Sequence, residues 1–110
     1  METIVLKTSP DQPDEAVIAQ AAQVIKEGGL VGMPTETVYG LAADATNPQA
    51  VKKIFEAKGR PQDNPLIVHI ADVEDVSRFG RDISKEARAL MEAFWPGPMT
   101  MILKHKSIVP

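Results

Sequence analysis

The chain has 110 residues, of which 44% are hydrophobic and 25% charged, and its formal net charge is -3 at pH 7. This composition is typical of one globular domain or part of one, so it excludes a disordered chain. The acidic balance excludes a protein that attracts nucleic acid or anionic lipid through its overall charge, although a local basic site remains open. The lack of cysteine excludes a disulfide scaffold, a thiol nucleophile and a cysteine-ligated metal centre.

The first third of the chain predicts a strand, a helix and a second strand. Residues 3–7 form a short apolar run, and Asp14 follows Pro13 as a helix-start signal. Apolar residues then recur at helical spacing until the glycine pair at 28–29, which predicts the helix end. Residues 30–34 are typical of a buried strand, and a long polar and glycine-containing connection follows.

The remaining elements alternate in the same way. Asn47 and Pro48 predict the start of a helix that ends at Gly59. Residues 66–70 and 99–103 are apolar runs that predict two further strands. Between them, a short helix from Asp72 to Phe79 and a second helix capped by Ser84 are expected. The inward face of that second helix is predicted to carry Ala87, Leu90, Met91 and Phe94.

This order of elements predicts an α/β fold with a twisted, mixed and partly parallel sheet flanked by helices. Ligands of such folds bind beyond the carboxyl ends of the strands, where the loops gather. Because the chain ends directly after a predicted strand, we expect residues 1–110 to be the first part of a larger domain. No apolar run approaches the ~18 residues of a membrane span, so a soluble, cytoplasmic protein without membrane contact is expected.

The loop from Lys58 to Asn64 combines two cations with a stiff backbone. Gly59 permits a left-handed turn, and the prolines at 61 and 65 restrict the residues before them. Arg60 can grip phosphate oxygens with two N–H groups, while Lys58 acts as a mobile point charge. The alternative is structural, with both cations complementing a helix carboxyl end and Asn64 capping a turn.

A second polar group follows the strand at 30–34. Thr35, Thr37 and Tyr39 place two hydroxyls and a phenol within five residues, which suits a small polar ligand. In the alternative interpretation Thr35 caps a helix, Glu36 is an acid of its first turn and Tyr39 is a packing residue. His69 lies within the apolar run 66–70, where a lone histidine is either a structural residue or a ligand contact. No second histidine lies at metal-ligand spacing, because His105 is distant in the sequence.

Three long motifs, in this order and near these spacings, carry a family resemblance. They are PTETVYGLAADA at 34–45, KKIFEAKGRPQDNPLIVHI at 52–70 and FWPGPMTMIL at 94–103. Together they resemble the YrdC-like threonylcarbamoyl-AMP synthases across nearly the whole chain. The resemblance implies a twisted α/β sheet with a concave, locally positive cavity.

The resemblance also implies an activity. Members of the family combine L-threonine, bicarbonate and ATP to give threonylcarbamoyl-AMP and pyrophosphate. Because the sequence shows no obvious all-protein magnesium site, Mg²⁺ is expected to bind through the phosphates of ATP. A partner transferase complex then passes the threonylcarbamoyl group to tRNA. By motif position, Lys58, Arg60 and Asn64 are expected to bind ATP, and the two cations to act in catalysis. Thr35, Thr37 and His69 are expected to bind threonine, and Tyr39 to line the cavity wall.

Two other interpretations remain open from the sequence. The same fold could serve as a non-catalytic RNA-binding module, although the net charge of -3 disfavours it. It could also be a domain of a larger carbamoyl-transferring maturation enzyme, which the short leader and the lack of zinc-finger cysteines disfavour. Because the family's second half supplies further residues to both pockets, residues 1–110 alone are expected to be inactive and to leave apolar surface uncovered.

Overall fold

Helices alternate with short strands in the computed structural model, which describes residues 3–35, 37–59 and 66–110. In chain order the elements are α1 (Glu15–Lys26), β1 (Val31–Pro34), β2 (Tyr39–Ala42), α2 (Pro48–Lys58), a 3-10 turn (Val73–Asp75), α3 (Val76–Phe79), β3 (Gly80–Arg81), α4 (Lys85–Phe94) and β4 (Lys104–His105). The predicted helices are therefore confirmed, including the short one that was expected between Asp72 and Phe79.

The three longer helices begin at side-chain caps that the sequence predicts. Asp14, Asn47 and Ser84 precede α1, α2 and α4, and all three have extended backbones. Their side-chain oxygens accept hydrogen bonds from backbone N–H groups of the first turn at 2.8 to 3.4 Å. These N–H groups have no partner within the helix, so each cap stabilises its helix by about 1 kcal/mol.

Glycine in the left-handed conformation ends two of these helices. Gly28 follows α1 with φ of 83°, and Gly59 follows α2 with φ of 66°. A side chain at either position would be strained, which explains why both helices stop where the sequence predicts. The ammonium of Lys53 donates a 3.1 Å hydrogen bond to the Gly28 carbonyl, so α2 is tied to the end of α1.

Both strand pairs of the described residues are antiparallel. In β1 and β2, Val31 faces Ala42 and Pro34 faces Tyr39. The link between these strands is residues 35–38, far shorter than the crossover that a parallel pair needs. β3 and β4 also pair antiparallel. The expected partly parallel sheet is thus replaced, in the described ranges, by two small antiparallel ladders.

Three predicted strands have no regular secondary structure, namely 3–7, 66–70 and 99–103. The prediction that 66–70 is a buried strand is wrong, since the exposed fraction of Ile67 is 63%. Ile102, in the last of these segments, is 97% exposed. An apolar run indicates where a strand can form, but the strand itself needs a backbone partner, and the described residues supply none to these segments.

The buried side chains form two groups. Ala50, Ile54 and Phe55 are buried on α2. Val76 and Met91 belong to a second cluster, which joins α3 to α4. The residues that pack partly buried against that cluster are Ile70, Val73, Ile83, Trp95, Met101 and Leu103. The core of this piece therefore lies around α2 and between α3 and α4.

The outer faces of the helices are more apolar than expected. Leu90 and Phe94 were predicted to face inward but are 45% and 59% exposed, while Ala87 and Met91 are buried as predicted. α1 has no fully buried residue. Among the described residues, no helix is both long and apolar enough to cross a membrane.

Candidate functional site

The β1–β2 hairpin presents three of the predicted site residues together. Thr35 directly follows β1, Thr37 lies in the turn, and Tyr39 begins β2 opposite Pro34. Tyr39 is 81% exposed, so the alternative that made it a packing residue is wrong, and Glu36 lies outside the described residues. The hairpin therefore carries a phenol and two hydroxyls at one surface position.

The Thr35 hydroxyl closes this turn. It accepts hydrogen bonds from the backbone N–H groups of Thr37 (3.3 Å) and Val38 (3.1 Å), and it donates to the Val38 carbonyl. The alternative that Thr35 caps a helix is thus wrong, because the residue lies in a β-hairpin turn. Its hydroxyl does bond to nearby backbone groups, as a capping hydroxyl would. Thr37 is exposed, so its side chain is the freer of the two threonines.

Lys58 stands in the last turn of α2 and is exposed. Gly59, in the left-handed conformation, follows it as the C-cap of the helix. A cation in this position also complements the negative end of the helix dipole, as the structural alternative proposed. Arg60 and Asn64, the other two predicted phosphate-binding residues, lie outside the described residues.

His69 is exposed and lies in the irregular segment 66–70. The next residue, Ile70, packs against the cluster of Val76, Ala87 and Met91. His69 is therefore held beside the core by its neighbour while its own imidazole faces outward. This exposure argues against a buried structural role for His69.

The described residues bring the hairpin group together but do not join it to the other predicted site residues. Among the hydrogen bonds of the described ranges, none links the hairpin to Lys58 or His69. Two surface cavities, of about 240 and 340 Å³, are lined by other residues. In residues 3–35, 37–59 and 66–110, no three His, Asp or Glu side chains come close enough to hold a metal ion.

The sequence analysis did not single out Asp44, which is half-buried within the PTETVYGLAADA motif. Its carboxylate accepts hydrogen bonds from the Thr46 hydroxyl at 2.6 Å and from the Thr46 backbone N–H at 2.8 Å. These two bonds, helped by the charge of Arg78, lower the pKa of Asp44 from its ordinary value. The signal that could have found it is an aspartate two residues before a threonine, directly ahead of a helix start.

Replacing Asp44 by alanine is expected to lower the free energy of unfolding by about 1–2 kcal/mol at pH 7, because two hydrogen bonds to a charged acceptor are lost. The folded-state pKa lies below the unfolded one, so this stabilisation is present above the ordinary value of 3.8 and is lost as the pH falls through the folded pKa. Denaturant titrations at pH 7 and below pH 3 should therefore show the difference between wild type and variant shrinking in acid.

Asp11→Ala is the control for this experiment, because Asp11 is an exposed aspartate whose carboxylate forms no hydrogen bond among the described residues. It should leave the free energy of unfolding within about 0.5 kcal/mol of wild type. A loss for Asp44→Ala that is the same at both pH values would contradict the role of the charged carboxylate.

Comparison with known proteins identifies relatives of this chain. The Sua5/YciO/YrdC family model, whose description is "Telomere recombination", matches residues 23–110. The threonylcarbamoyl-AMP synthase of Pyrococcus abyssi is 54% identical over 97 residues, which are 88% of this chain and 28% of that protein. The enzyme of the same name from Bacillus subtilis is 56% identical over 89 residues, or 81% of this chain and 26% of that protein.

Solved structures agree with the sequence relatives. A double-alanine variant of Sua5 from P. abyssi superimposes with a TM-score of 0.87 at 52% identity, over 91% of this chain and 31% of that one. P. abyssi Sua5 complexed with L-threonine superimposes with a TM-score of 0.86, over 90% of this chain and 29% of that one. The chain spans about a quarter to a third of these proteins, and the predicted α/β, YrdC-like fold class is confirmed. The chain belongs to the Sua5/YciO/YrdC family.

Proposed function

We propose that the protein carrying this chain is an L-threonylcarbamoyladenylate synthase, a nucleotidyltransferase that forms threonylcarbamoyl-AMP and pyrophosphate from L-threonine, bicarbonate and ATP. The observation that carries the proposal is the superposition, at 52% identity, on Sua5 from P. abyssi in complex with L-threonine. The names and identities of the P. abyssi and B. subtilis relatives support the same reaction. Residues 1–110 would be the amino-terminal part of the catalytic domain.

The proposed chemistry suits a chain without cysteine. The threonine amine attacks carbon dioxide with loss of a proton, or bicarbonate with loss of water, to give a carbamate. An oxygen of the carbamate then attacks the α-phosphorus of ATP, and the bond from that phosphorus to the α,β-bridging oxygen breaks as pyrophosphate leaves. Neither step needs a covalent bond to the protein. The protein must align the two reactants and neutralise the charge that develops on the phosphates.

In this proposal the cations at the end of α2 neutralise the phosphates. Lys58 is exposed in the last helical turn, from which its long side chain can reach an anion. Arg60 follows the left-handed Gly59 and would bind phosphate oxygens through two N–H groups. Asn64 would be a further ATP contact. Mg²⁺ would be bound through the phosphate oxygens, since it keeps much of its water and commonly binds substrate phosphates.

The threonine pocket would combine the hairpin with His69. Thr37 and Tyr39 are exposed on the hairpin, and His69 is exposed on the segment after the loop that follows α2. Hydroxyl and imidazole groups are suited to a zwitterionic amino acid with its own hydroxyl. Thr35 would take part through the turn that its hydroxyl closes. Cytoplasmic location and a tRNA-modifying transferase complex as the downstream partner belong to the same proposal.

The reaction itself provides the test, with His69→Ala as the diagnostic variant. The intact protein is expected to release pyrophosphate from ATP only when threonine and bicarbonate are both present. In His69→Ala the KM for threonine should rise roughly tenfold, as expected from the loss of one hydrogen bond, while the KM for ATP changes little. Product formation is followed by mass spectrometry of threonylcarbamoyl-AMP.

His105→Ala is the matched control, because His105 is the other histidine of the chain and is also exposed. It should leave both KM values unchanged. Threonine-independent pyrophosphate release would contradict the proposed function. RNA binding that weakens steeply with salt, without any consumption of ATP, would favour the RNA-binding module instead.

A further inference from the structure

A surface cavity of about 240 Å³ lies beside α3, β3 and the start of α4, and none of the proposed substrate-binding residues that the structure describes lines it. Three basic side chains line it, those of Arg81, Arg88 and Lys106. Asp82 is the acidic residue of the lining, and Ser77 stands between two of the cations. We call this place the cationic cavity. The lining thus has an excess of positive charge, with three cations and one carboxylate, although the net charge of the chain is -3.

The cations of the cationic cavity are held in place by bonds to the protein framework. Arg88 Nη2 donates a 3.2 Å hydrogen bond to the Ser77 hydroxyl, and the Lys106 ammonium donates to the Ser77 carbonyl. Arg81 Nε donates to the His105 carbonyl at 3.3 Å. These bonds fix long side chains that would otherwise lose conformational entropy when a ligand binds.

Each of these cations keeps donors beyond the bonds just described. A guanidinium carries five N–H groups and an ammonium three. Arg88 uses one donor on Ser77, and Lys106 uses one on the carbonyl of the same residue. Arg81 uses a second donor in its 3.3 Å ion pair with Asp82. Three N–H groups remain on Arg81, four on Arg88 and two on Lys106. Because Asp82 pairs with the charge of Arg81, we take Arg88 and Lys106 as the principal partners of an anion.

We propose that the cationic cavity binds a phosphate group as a second anion site, in addition to the one proposed at Lys58. Arg88 would offer its planar guanidinium to the phosphate oxygens, and Lys106 would add a point charge. A cavity of about 240 Å³ is below the size usual for drug-sized ligands, so it suits a small phosphate-bearing ion and not a whole nucleotide. Inorganic phosphate and pyrophosphate are the two candidate sources.

Calorimetric titration of the intact protein with inorganic phosphate, and separately with pyrophosphate, tests this site. The test variant is Arg88→Gln combined with Lys106→Gln, which removes two charges from exposed side chains. Lys7→Gln combined with Lys26→Gln removes the same charge from exposed positions that do not line the cavity. Arg60→Ala reports on the proposed ATP-binding loop in the same titrations.

The cavity variant is expected to weaken one phosphate-binding event at least tenfold, while the charge control and Arg60→Ala leave that event within twofold. Its thermal midpoint should stay close to wild type. The anion that binds more tightly identifies the source. If the affinity fell equally in the cavity variant and in the charge control, the loss would be an effect of net charge alone, and the proposal would be overturned. Unchanged affinity in a folded cavity variant, or no saturable binding to wild type, would also overturn it.

Discussion

A polypeptide of residues 1–110 alone is expected to form threonylcarbamoyl-AMP at least roughly 100-fold more slowly than the intact protein, the effect expected when part of a preorganised site is removed. The relatives in which the activity is named are three to four times longer than the stretch they share with this chain, since the chain spans 28% and 26% of them. The proposed pockets would then lack their remaining residues.

The exposed apolar surface gives a physical reason for the same expectation. Ile67 and Ile102 are 63% and 97% exposed, in segments that were predicted as strands and have no backbone partner among the described residues. Phe94 is 59% exposed on α4. The prediction that residues 1–110 leave apolar surface uncovered is thus met in the described part of the chain. We propose that further sequence of the intact protein pairs with these segments and covers them.

The measurement compares product formation by residues 1–110 and by the intact protein under identical conditions. Binding of a hydrophobic dye should be strong for residues 1–110 and weak for the intact protein, which tests the covering of the apolar surface independently of activity. Comparable turnover by the two proteins would contradict the proposal that the site is completed elsewhere. Equal dye binding would contradict the proposal that further sequence covers Ile67 and Ile102.

Arg60→Ala in the intact protein is expected to lower kcat/KM for ATP by roughly 10²–10³-fold, which is the usual cost of removing one preorganised donor to a developing charge. The free energy of unfolding should change by less than about 1 kcal/mol, as for most loop substitutions. The expectation rests on the sequence position of Arg60, directly after the left-handed Gly59 and two residues after the exposed Lys58. Steady-state kinetics and denaturant titration measure the two quantities.

Arg78→Ala is the matched control for this prediction. Arg78 is an exposed arginine on α3, and its guanidinium stacks 5.2 Å from the centre of the Phe79 ring. Its removal should leave kcat/KM for ATP within about twofold of the wild-type value. The free energy of unfolding should fall slightly, because the contact with the Phe79 ring is lost. An Arg60→Ala enzyme with near-wild-type ATP kinetics would show that the phosphate assignment of the Lys58–Asn64 loop is wrong.

The helices were predictable because their signals are local. Asp14, Asn47 and Ser84 cap the helices from within four residues, and Gly28 and Gly59 end them through their own backbone angles. None of these interactions depends on distant parts of the chain. Side-chain burial was less predictable, because Leu90 and Phe94 carry the right spacing but find no cover in the described residues.

The strands were predicted poorly because each depends on a partner. Residues 66–70 have a strand-like composition without a partner, whereas β2 (Tyr39–Ala42) pairs with β1 although its residues were expected to be a connection. The candidate site likewise has a part that local sequence determines and a part that depends on distant residues. The hairpin group of Thr35, Thr37 and Tyr39 is local and is found together, but a relation between that group and Lys58 or His69 depends on long-range packing.

The hydroxyl of Thr35 has one further consequence, because its bonds are already taken by the turn that it closes. A ligand that accepts a hydrogen bond from this hydroxyl competes with the Val38 carbonyl for its proton. Ligand binding and closure of the turn are therefore linked equilibria. A change that stabilises the closed turn then lowers the affinity for such a ligand, and the bound ligand destabilises the closed turn by the same free energy.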